Sequence, residues 1–317
     1  MRYIEVLKEG DKISDIYLCK QRQSLTTKNG KPYESVILQD KTGTVDAKIW
    51  EPNSQGIDDF DNLDYIEVVG DVVSFQGTLQ VNIKRARKCS EGEYDEKEYF
   101  PVSNKDIDMM YSEFLEYIKS VKNTYLSQVL DLFFVNSPKI IEAFKMHSAA
   151  KTVHHGFIGG LLEHTLGVVK LCDFYCKQYP LLNRDLLITA AALHDIGKIK
   201  ELSAFPANDY TDEGQLLGHI VIGSEWISDA VRQIPDFPPK LARELKHCIL
   251  AHHGKLEYGS PKVPSLAEAV ALNYADDTDA KMQTMTELFA SHNTQNSEWL
   301  GFNRLFETNM RRTEEWN

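Results

Sequence analysis

The sequence predicts a multidomain protein in which a small all-β barrel precedes an all-α helical bundle. Three observations predict this: a length of 317 residues, strand-like alternation between residues 15 and 88, and helical periodicity after residue 105. Hydrophobic residues make up 42% of the chain, which is enough for folded cores. We place the barrel at residues 1–90, an acidic linker containing Pro101 at 91–104, and the helical domain, with a helical tail, at 105–317.

Five short segments of the first domain read as strands. They are IYLCKQRQSL, ESVILQD, GTVDAKIWE, DYIEVVGDVVSF and GTLQVNIKRARK, separated by turn-forming residues. In the third segment Val45, Ala47 and Ile49 alternate with polar residues, so these three side chains should share the buried face. Five strands in roughly 75 residues indicate a small barrel.

The second domain shows helix boundaries in its sequence. Asn183 is placed to cap a helix, and Gly197 to end it in the left-handed conformation. Pro239 suits a first helical turn, and Gly254 marks the end of that helix. We expect helices without strands throughout this domain.

Composition excludes several classes of protein. The net charge is -12, from 35 basic and 47 acidic residues, which argues against tight nonspecific binding to duplex nucleic acid. No stretch approaches about 18 apolar residues and the first residues are charged, so we expect a soluble cytoplasmic protein with no membrane association. The five cysteines are scattered without a CxxC spacing, which argues against a disulfide framework and against a thiolate zinc site.

Histidines and aspartates spaced along the second domain carry the strongest chemical signal. Successive gaps of 30, 25, 33 and 24 residues separate His164, His194-Asp195, His219, His252-His253 and Asp276. Each gap is about one helix plus a connection, so each group can lie on a different helix and face a shared interior. Lys198 follows His194 by four residues and Asp195 by three, so it can reach an anion bound there.

These residue types suit metal-assisted phosphate chemistry. Imidazole and carboxylate ligands hold Mn, Co, Fe or Zn and leave positions open for water and substrate. Two such ions bridged by Asp195 can activate water for attack at phosphorus, with Lys198 neutralising developing charge. A single buried histidine is more often a hydrogen-bonded core residue, but a helical core has little structural use for five such groups because burying unpaired polar atoms is costly.

Other polar residues near these groups admit two interpretations. His154 and His155 precede the first ligand helix and suit either a substrate pocket or a structural loop. Glu163, Asp277 and Asp279 are acids close in sequence to proposed ligands, and each is either a further ligand or an acid that does not bind metal. His247 falls on another helical face from His252 and is interpreted as structural.

The set His164, His194-Asp195 and Asp276 resembles the defining pattern of the HD superfamily of metal-dependent phosphohydrolases. The runs HHGFIGGLLEHT, ALHDIGKIKEL, YTDEGQLLGHIVIG, HCILAHHGKLEYGSP and EAVALNYADDTDAKM, placed after a five-strand barrel, resemble the YhaM family of bacterial 3'-to-5' exoribonucleases over nearly the whole chain. This resemblance implies an OB-fold followed by an HD domain, two divalent ions such as manganese, and release of nucleoside monophosphates from a 3' end. It assigns His164, His194, Asp195 and Asp276 to one metal, and His219 with His252 or His253 to a second, with Asp195 bridging.

An OB-fold binds single strands by combining a cationic groove with aromatic platforms. Lys84, Arg85, Arg87 and Lys88 form a basic run, and Tyr33 and Trp50 are among the interleaved aromatic residues. The alternative is that the aromatic residues belong to the barrel core and the charges to a solvated face.

The leading hypothesis is a 3'-to-5' exoribonuclease acting on single-stranded RNA, with single-stranded DNA as an alternative substrate. A second hypothesis keeps the hydrolase but gives it a small nucleotide, such as a dNTP or cyclic nucleotide; the barrel and the run HHGKLEYGSP, which lacks a GYP tripeptide, weaken it. A third is a non-catalytic RNA-binding regulator. An inert protein of this kind would be expected to have lost metal ligands, and this chain retains every one. The apolar tail allows intrachain packing or a homo-oligomer.

Overall fold

A computed structural model describes residues 1–151, 155–291 and 298–313. The contacts divide the chain into two units, Met1–Val102 and Ser103–Asn317. The predicted His154 lies outside the described residues.

Within Met1–Val102, all of which is described, five strands form a closed barrel. They are β1 (Lys12–Thr26), β2 (Pro32–Asp40), β3 (Gly43–Ile49), β4 (Tyr65–Phe75) and β5 (Thr78–Lys88). The order around the barrel is β1-β2-β3-β5-β4, and only β3 with β5 is a parallel pair. Val45, Ala47 and Ile49 are buried while their polar neighbours are not, so the predicted alternation and the OB-like barrel are confirmed.

The segment predicted as a linker lies mostly against the barrel. Tyr99 and Phe100 are buried, and Tyr94 stacks on Tyr65 with ring centroids 3.7 Å apart. The side-chain amide of Gln39 donates to the carbonyl of Tyr99 at 3.1 Å. The first unit therefore extends about a dozen residues beyond the predicted end of the barrel, because three aromatic side chains in an otherwise acidic segment bury apolar surface there.

Ten helices make up most of the described part of the second unit. They are α1 (Ile107–Lys119), α2 (Thr124–Phe134), α3 (Pro138–Met146), α4 (Gly160–Gln178), α5 (Arg184–Leu193), α6 (Lys198–Glu201), α7 (Asp212–Leu216), α8 (Gly218–Gln233), α9 (Pro239–Ala251) and α10 (Ala267–Ser291). Helix α5 is central: every residue from Leu186 to Leu193 is buried, and α4, α9 and α10 pack around it. In the described part of the chain, no helix has the length and apolar character needed to cross a membrane.

Three of the predicted helix boundaries are confirmed. The side chain of Asn183 accepts from the backbone N–H of Leu186, Pro239 occupies the first turn of α9, and Gly254 has a φ of +78°. The prediction for Gly197 is wrong, since its φ is -66° and the chain continues into α6. A Cβ at this position would lie 2.1 Å from the carbonyl oxygen of His219, so Gly197 is needed for close packing against α8.

The expected helical tail is also wrong for the described residues after 298. Strands β6 (Trp299–Asn303) and β7 (Thr308–Arg311) form an antiparallel hairpin. Aromatic residues such as Trp299 and Phe302 favour extended backbone, and Gly301 and Glu307 adopt positive φ angles in and beside the turn, which no helix accommodates.

A candidate metal centre in the helical unit

Four of the predicted metal-site residues meet in a first cluster. His164 comes from α4, His194 and Asp195 follow α5 directly, and Asp276 comes from α10. The Nε2 atom of His164 lies 3.2 Å from Nε2 of His194, 3.2 Å from Oδ1 of Asp276 and 3.4 Å from Oδ2 of Asp195. Ligands bound to one ion at about 2.1 Å are separated by about 3.0 to 3.4 Å, so this spacing fits a shared cation.

The three remaining histidines form a second cluster against the same aspartate. Atom Oδ1 of Asp195 lies 3.4 Å from Nε2 of His219 and 3.7 Å from Nε2 of His252. His253 belongs to this group as well, since one ring nitrogen from each of the three histidines lies within 4.8 Å of the others. Asp195 therefore presents Oδ2 to the first cluster and Oδ1 to the second, which is the arrangement required of a bridging carboxylate.

All five cluster imidazoles have Nδ1 engaged away from the centre. The acceptors are Asp279 for His164, the Ala191 carbonyl for His194, Glu201 for His219, the Ile249 carbonyl for His252 and the Tyr258 carbonyl for His253, at 2.7 to 2.9 Å. Donation through Nδ1 fixes each neutral ring in the tautomer whose Nε2 carries a lone pair. Five Nε2 atoms are thus available as acceptors or as metal ligands.

The buried atoms of the centre lack the partners that protein groups normally provide. Nε2 of His219, Nε2 of His252 and Oδ1 of Asp195 are buried without a hydrogen-bond partner. In the first cluster Nε2 of His164 faces Nε2 of His194 at 3.2 Å, a contact that requires a proton or a metal ion between the two nitrogens. Such an arrangement is costly unless a cation lies between the groups, so the donor set fits divalent metal ions.

Electrostatics around Asp195 favour its charged form. Burial alone would raise its pKa, but the Lys198 ammonium and the His194 ring lower the pKa well below its ordinary value. Nζ of Lys198 donates to Oδ2 of Asp195 at 2.7 Å. Burial opposes a charge on Lys198, yet the adjacent Asp195 raises its pKa, so this lysine stays protonated.

The two clusters differ in their affinity for protons. Burial opposes protonation of His164, but Asp195, Asp276 and Asp279 raise its pKa well above the ordinary value. Burial, followed by the nearby His253 and His194, lowers the pKa of His252 well below it.

Comparison with known proteins identifies the family. A model of the HD domain matches residues 161–281, which include all seven predicted ligands. The 3'-5' exoribonuclease YhaM of a Geobacillus species (strain WCH70) is 35% identical over 277 residues, covering 86% of this chain and 83% of that protein. The YhaM protein of Bacillus subtilis is 35% identical over 280 residues and covers 87% of each chain. The chain belongs to the YhaM family. The resemblance expected from its motifs is confirmed.

A comparison with solved structures also gave a partial match. The second OB-fold domain of replication protein A from Methanococcus maripaludis is 16% identical and matches with a TM-score of 0.23, covering 29% of this chain and 98% of that one.

Two carboxylates that support the YhaM-family centre were not assigned by sequence reasoning. Asp279 accepts from Nδ1 of His164 at 2.8 Å, and Glu201 accepts from both the backbone N–H and Nδ1 of His219 at 2.9 Å. Asp279 follows Asp276 by three residues on α10, and this spacing places both on one helix face and could have identified it. No comparable spacing marks Glu201.

His155 lies behind the first cluster of this YhaM-family chain. Its Nε2 donates to Oδ2 of Asp279 at 3.1 Å, and its ring centroid lies 5.3 Å from that of His164. It also lines a cavity of about 210 Å³. Glu163 also lines that cavity. It accepts from the Ser103 hydroxyl at 2.5 Å and pairs with Lys105 at 2.8 Å. Glu163 thus points away from the metal centre.

The predicted nucleic-acid-binding cations on the barrel largely have acidic partners. Lys84 pairs with Asp71, Lys88 with Asp64 at 2.7 Å, and Arg87 with both Glu67 and Glu93 at 2.9 and 3.0 Å; Arg85 is exposed. The predicted aromatic residues do form a surface pair. Tyr33 stacks on Trp50 with centroids 5.2 Å apart, and 49% of Trp50 is exposed.

Proposed function

We propose that this chain is a metal-dependent 3'-to-5' exoribonuclease, which hydrolyses single-stranded RNA to nucleoside monophosphates. The observation that carries the proposal is the set of Nε2 atoms of four histidines around the two carboxylate oxygens of the buried Asp195, in a member of a family of 3'-5' exoribonucleases.

The residues that would hold two ions follow from the two clusters. His164, His194 and Asp276 would hold one, His219, His252 and His253 the other, and Asp195 would bridge them. Manganese is the ion we favour, with cobalt, iron and zinc as alternatives that the same donors accept. When bound, such ions lower the pKa of water and stabilise charge on the oxygens of a phosphodiester during displacement.

Lys198 has the charge and position to act on the substrate. Its side chain is buried beside Asp195 and remains protonated. A cation held there without rearrangement can neutralise charge on a nonbridging phosphate oxygen in the transition state. Asp195 and Lys198 together form the catalytic pair of the proposal.

The barrel would retain the RNA strand. The exposed Trp50 ring, stacked on Tyr33 and held by a hydrogen bond from its Nε1 to Asn82 at 2.9 Å, provides a platform for a base. Lys84, Arg87 and Lys88 would exchange their carboxylate partners for phosphates, and the exposed Arg85 would contact a phosphate directly. Exposed ion pairs contribute little energy, so this exchange is inexpensive.

The test is digestion of 5'-labelled single-stranded RNA in the presence of Mn. The wild type should give a ladder that shortens from the 3' end and releases nucleoside monophosphates, and a circular RNA of the same sequence should resist digestion. Asp195→Asn should reduce the rate at least about a hundredfold, because it weakens both ion sites. Asp277→Asn is the matched control: this aspartate adjoins Asp276 but is exposed and paired with Lys281.

Three outcomes would contradict the proposal. Digestion of circular RNA would show endonucleolytic cleavage. Hydrolysis of a dNTP or a cyclic dinucleotide with no digestion of RNA would favour a small-nucleotide hydrolase. No digestion of RNA by the wild type, with no ions bound after dialysis against Mn, would leave only an RNA-binding protein.

A further inference from the structure

A short turn after the second histidine cluster carries an exposed tyrosine whose backbone is bonded to that cluster. The turn contains Lys255, the 3-10 helix Leu256–Tyr258, and Gly259. The backbone carbonyl of Tyr258 accepts from Nδ1 of His253 at 2.8 Å, so the residue that carries the ring is bonded to a cluster histidine. The Tyr258 side chain takes no part in this hydrogen bond, and the residue is 60% exposed.

Hydrogen bonds hold this turn in one conformation. The N–H of Tyr258 donates to the carbonyl of Lys255 at 3.1 Å, and the N–H of Gly259 donates to that of Leu256 at 3.0 Å. Before the turn, the side-chain amide of Asn273 donates to the carbonyl of His252 at 2.7 Å. An aromatic ring on a turn that is already ordered loses little conformational entropy when a ligand packs on it.

The surroundings of Tyr258 suit a nucleotide. Nζ of Lys255 lies 5.0 Å from the ring centroid and forms an exposed ion pair with Glu257 at 3.3 Å, which a phosphate could replace at little cost. Leu216 and Leu217, which come shortly before His219, are also exposed. Large exposed side chains therefore lie close in sequence to the cluster histidines on both segments that supply them.

We infer that Tyr258 is a stacking platform for the base of the 3'-terminal nucleotide, with Lys255 contacting its ribose-phosphate. This inference rests on the proposed function. Base and phosphate of one nucleotide are joined through a single ribose, so a phosphodiester at the metal centre brings its base close to the turn. Stacking on an aromatic face accepts all four bases, as an exonuclease without sequence preference requires.

The experiment measures release of the first nucleotide from two 5'-labelled RNAs, one ending in adenosine and one ending in an abasic ribose. Tyr258→Ala should lower kcat/KM on the adenosine-ended RNA by about tenfold, the size of one base–aromatic stack, mainly through KM. The wild type should lose a similar factor on the abasic end, and the difference between variant and wild type should disappear there. Tyr258→Trp should retain activity on the adenosine-ended RNA.

The matched control is Tyr179→Ala. This tyrosine is also exposed but follows α4, 15 residues beyond His164, or roughly 22 Å along the helix axis. It should behave as wild type on both RNAs. Equal losses by Tyr258→Ala on both RNAs, or no loss on either, would overturn the inference.

A binding measurement separates this inference from the proposed function. Tyr258→Trp places a fluorescent ring in the turn, and adenosine 5'-monophosphate should quench it saturably beyond any change in wild type, whereas ribose 5-phosphate should not. Quenching without RNA cleavage would refute the exonuclease and retain the platform. Cleavage of RNA without quenching would retain the exonuclease and refute the platform.

Discussion

Oδ2 of Asp279 lies 2.8 Å from Nδ1 of His164, on the opposite side of the imidazole ring from the first cluster. The same oxygen accepts from His155 at 3.1 Å. Burial would raise the pKa of Asp279, but these two histidines lower it to about 2, so the carboxylate is charged at neutral pH. Asp279 therefore fixes the tautomer and the orientation of His164 without facing the centre itself.

Removal of this carboxylate should weaken metal binding. We expect Asp279→Ala to reduce affinity for Mn about 10- to 100-fold, as is usual for a carboxylate behind a metal-ligating histidine, and Asp279→Asn to cause a smaller loss because it keeps one acceptor oxygen. Calorimetric titration with Mn measures both. Asp277→Ala, on the same helix, should bind as wild type; equal affinity in Asp279→Ala would show that Asp279 has no orienting role.

Gly167 makes room for this contact. A Cβ at Gly167 would lie 2.0 Å from Oδ1 of Asp279. We expect Gly167→Ala to destabilise the fold by about 1–3 kcal/mol, as overpacking usually does, and to weaken Mn binding. Gly223→Ala is the matched control, since a Cβ there would meet atoms no closer than 3.6 Å. Urea unfolding of the metal-free proteins should show Gly223→Ala at least as stable as wild type, because alanine favours helix.

The residues of the two clusters could be predicted from sequence, whereas the contacts that support them could not: the spacing from Asp276 marks Asp279 as a candidate but does not say which ring it contacts. Ligands such as His164 and His194 are spaced one helix apart, and that spacing survives any reasonable packing of the helices. Asp279 and Glu201 contribute because α10 packs on α4 and because α6 lies beside the start of α8. Those relationships depend on tertiary packing, which one sequence does not reveal.

The basic run on the barrel is a second case in which packing supplies contacts that the sequence does not show. A run of cations at the end of β5 looked like an exposed basic surface, but β4 pairs antiparallel with β5 and places Glu67 opposite Arg87. Acidic residues thus pair with three of the four cations, and Asp64, Glu67 and Asp71 come from the strand β4 region. The charge of a strand can be judged only when its neighbouring strand is known.

Proton release should accompany metal binding. Because carboxylates raise the pKa of His164 well above its ordinary value, this ring carries a proton at pH 7 in the metal-free protein and must lose it to bind an ion. His252, whose pKa is lowered mainly by burial, has no proton to lose. We expect roughly one proton to be released per chain at pH 7 on account of His164, and fewer as the pH rises through its pKa.

Calorimetry in buffers with different ionisation enthalpies measures this number. Asp279→Ala removes one of the carboxylates that raise the pKa of His164, so it should release fewer protons at pH 7. A wild-type value that does not change between pH 7 and higher pH would contradict the assignment of the proton to His164.

Trp50 should account for a measurable part of RNA binding by the barrel. About half of its surface is exposed, and Tyr33 and Asn82 hold the ring in place. We expect Trp50→Ala to weaken binding of single-stranded RNA about 5- to 100-fold, the range for one stacked base, while Trp50→Phe keeps most of the affinity because it keeps an aromatic face. Fluorescence anisotropy in EDTA measures binding without digestion. Unchanged affinity in Trp50→Ala, with an unchanged thermal transition, would mean that the strand follows another face of the barrel.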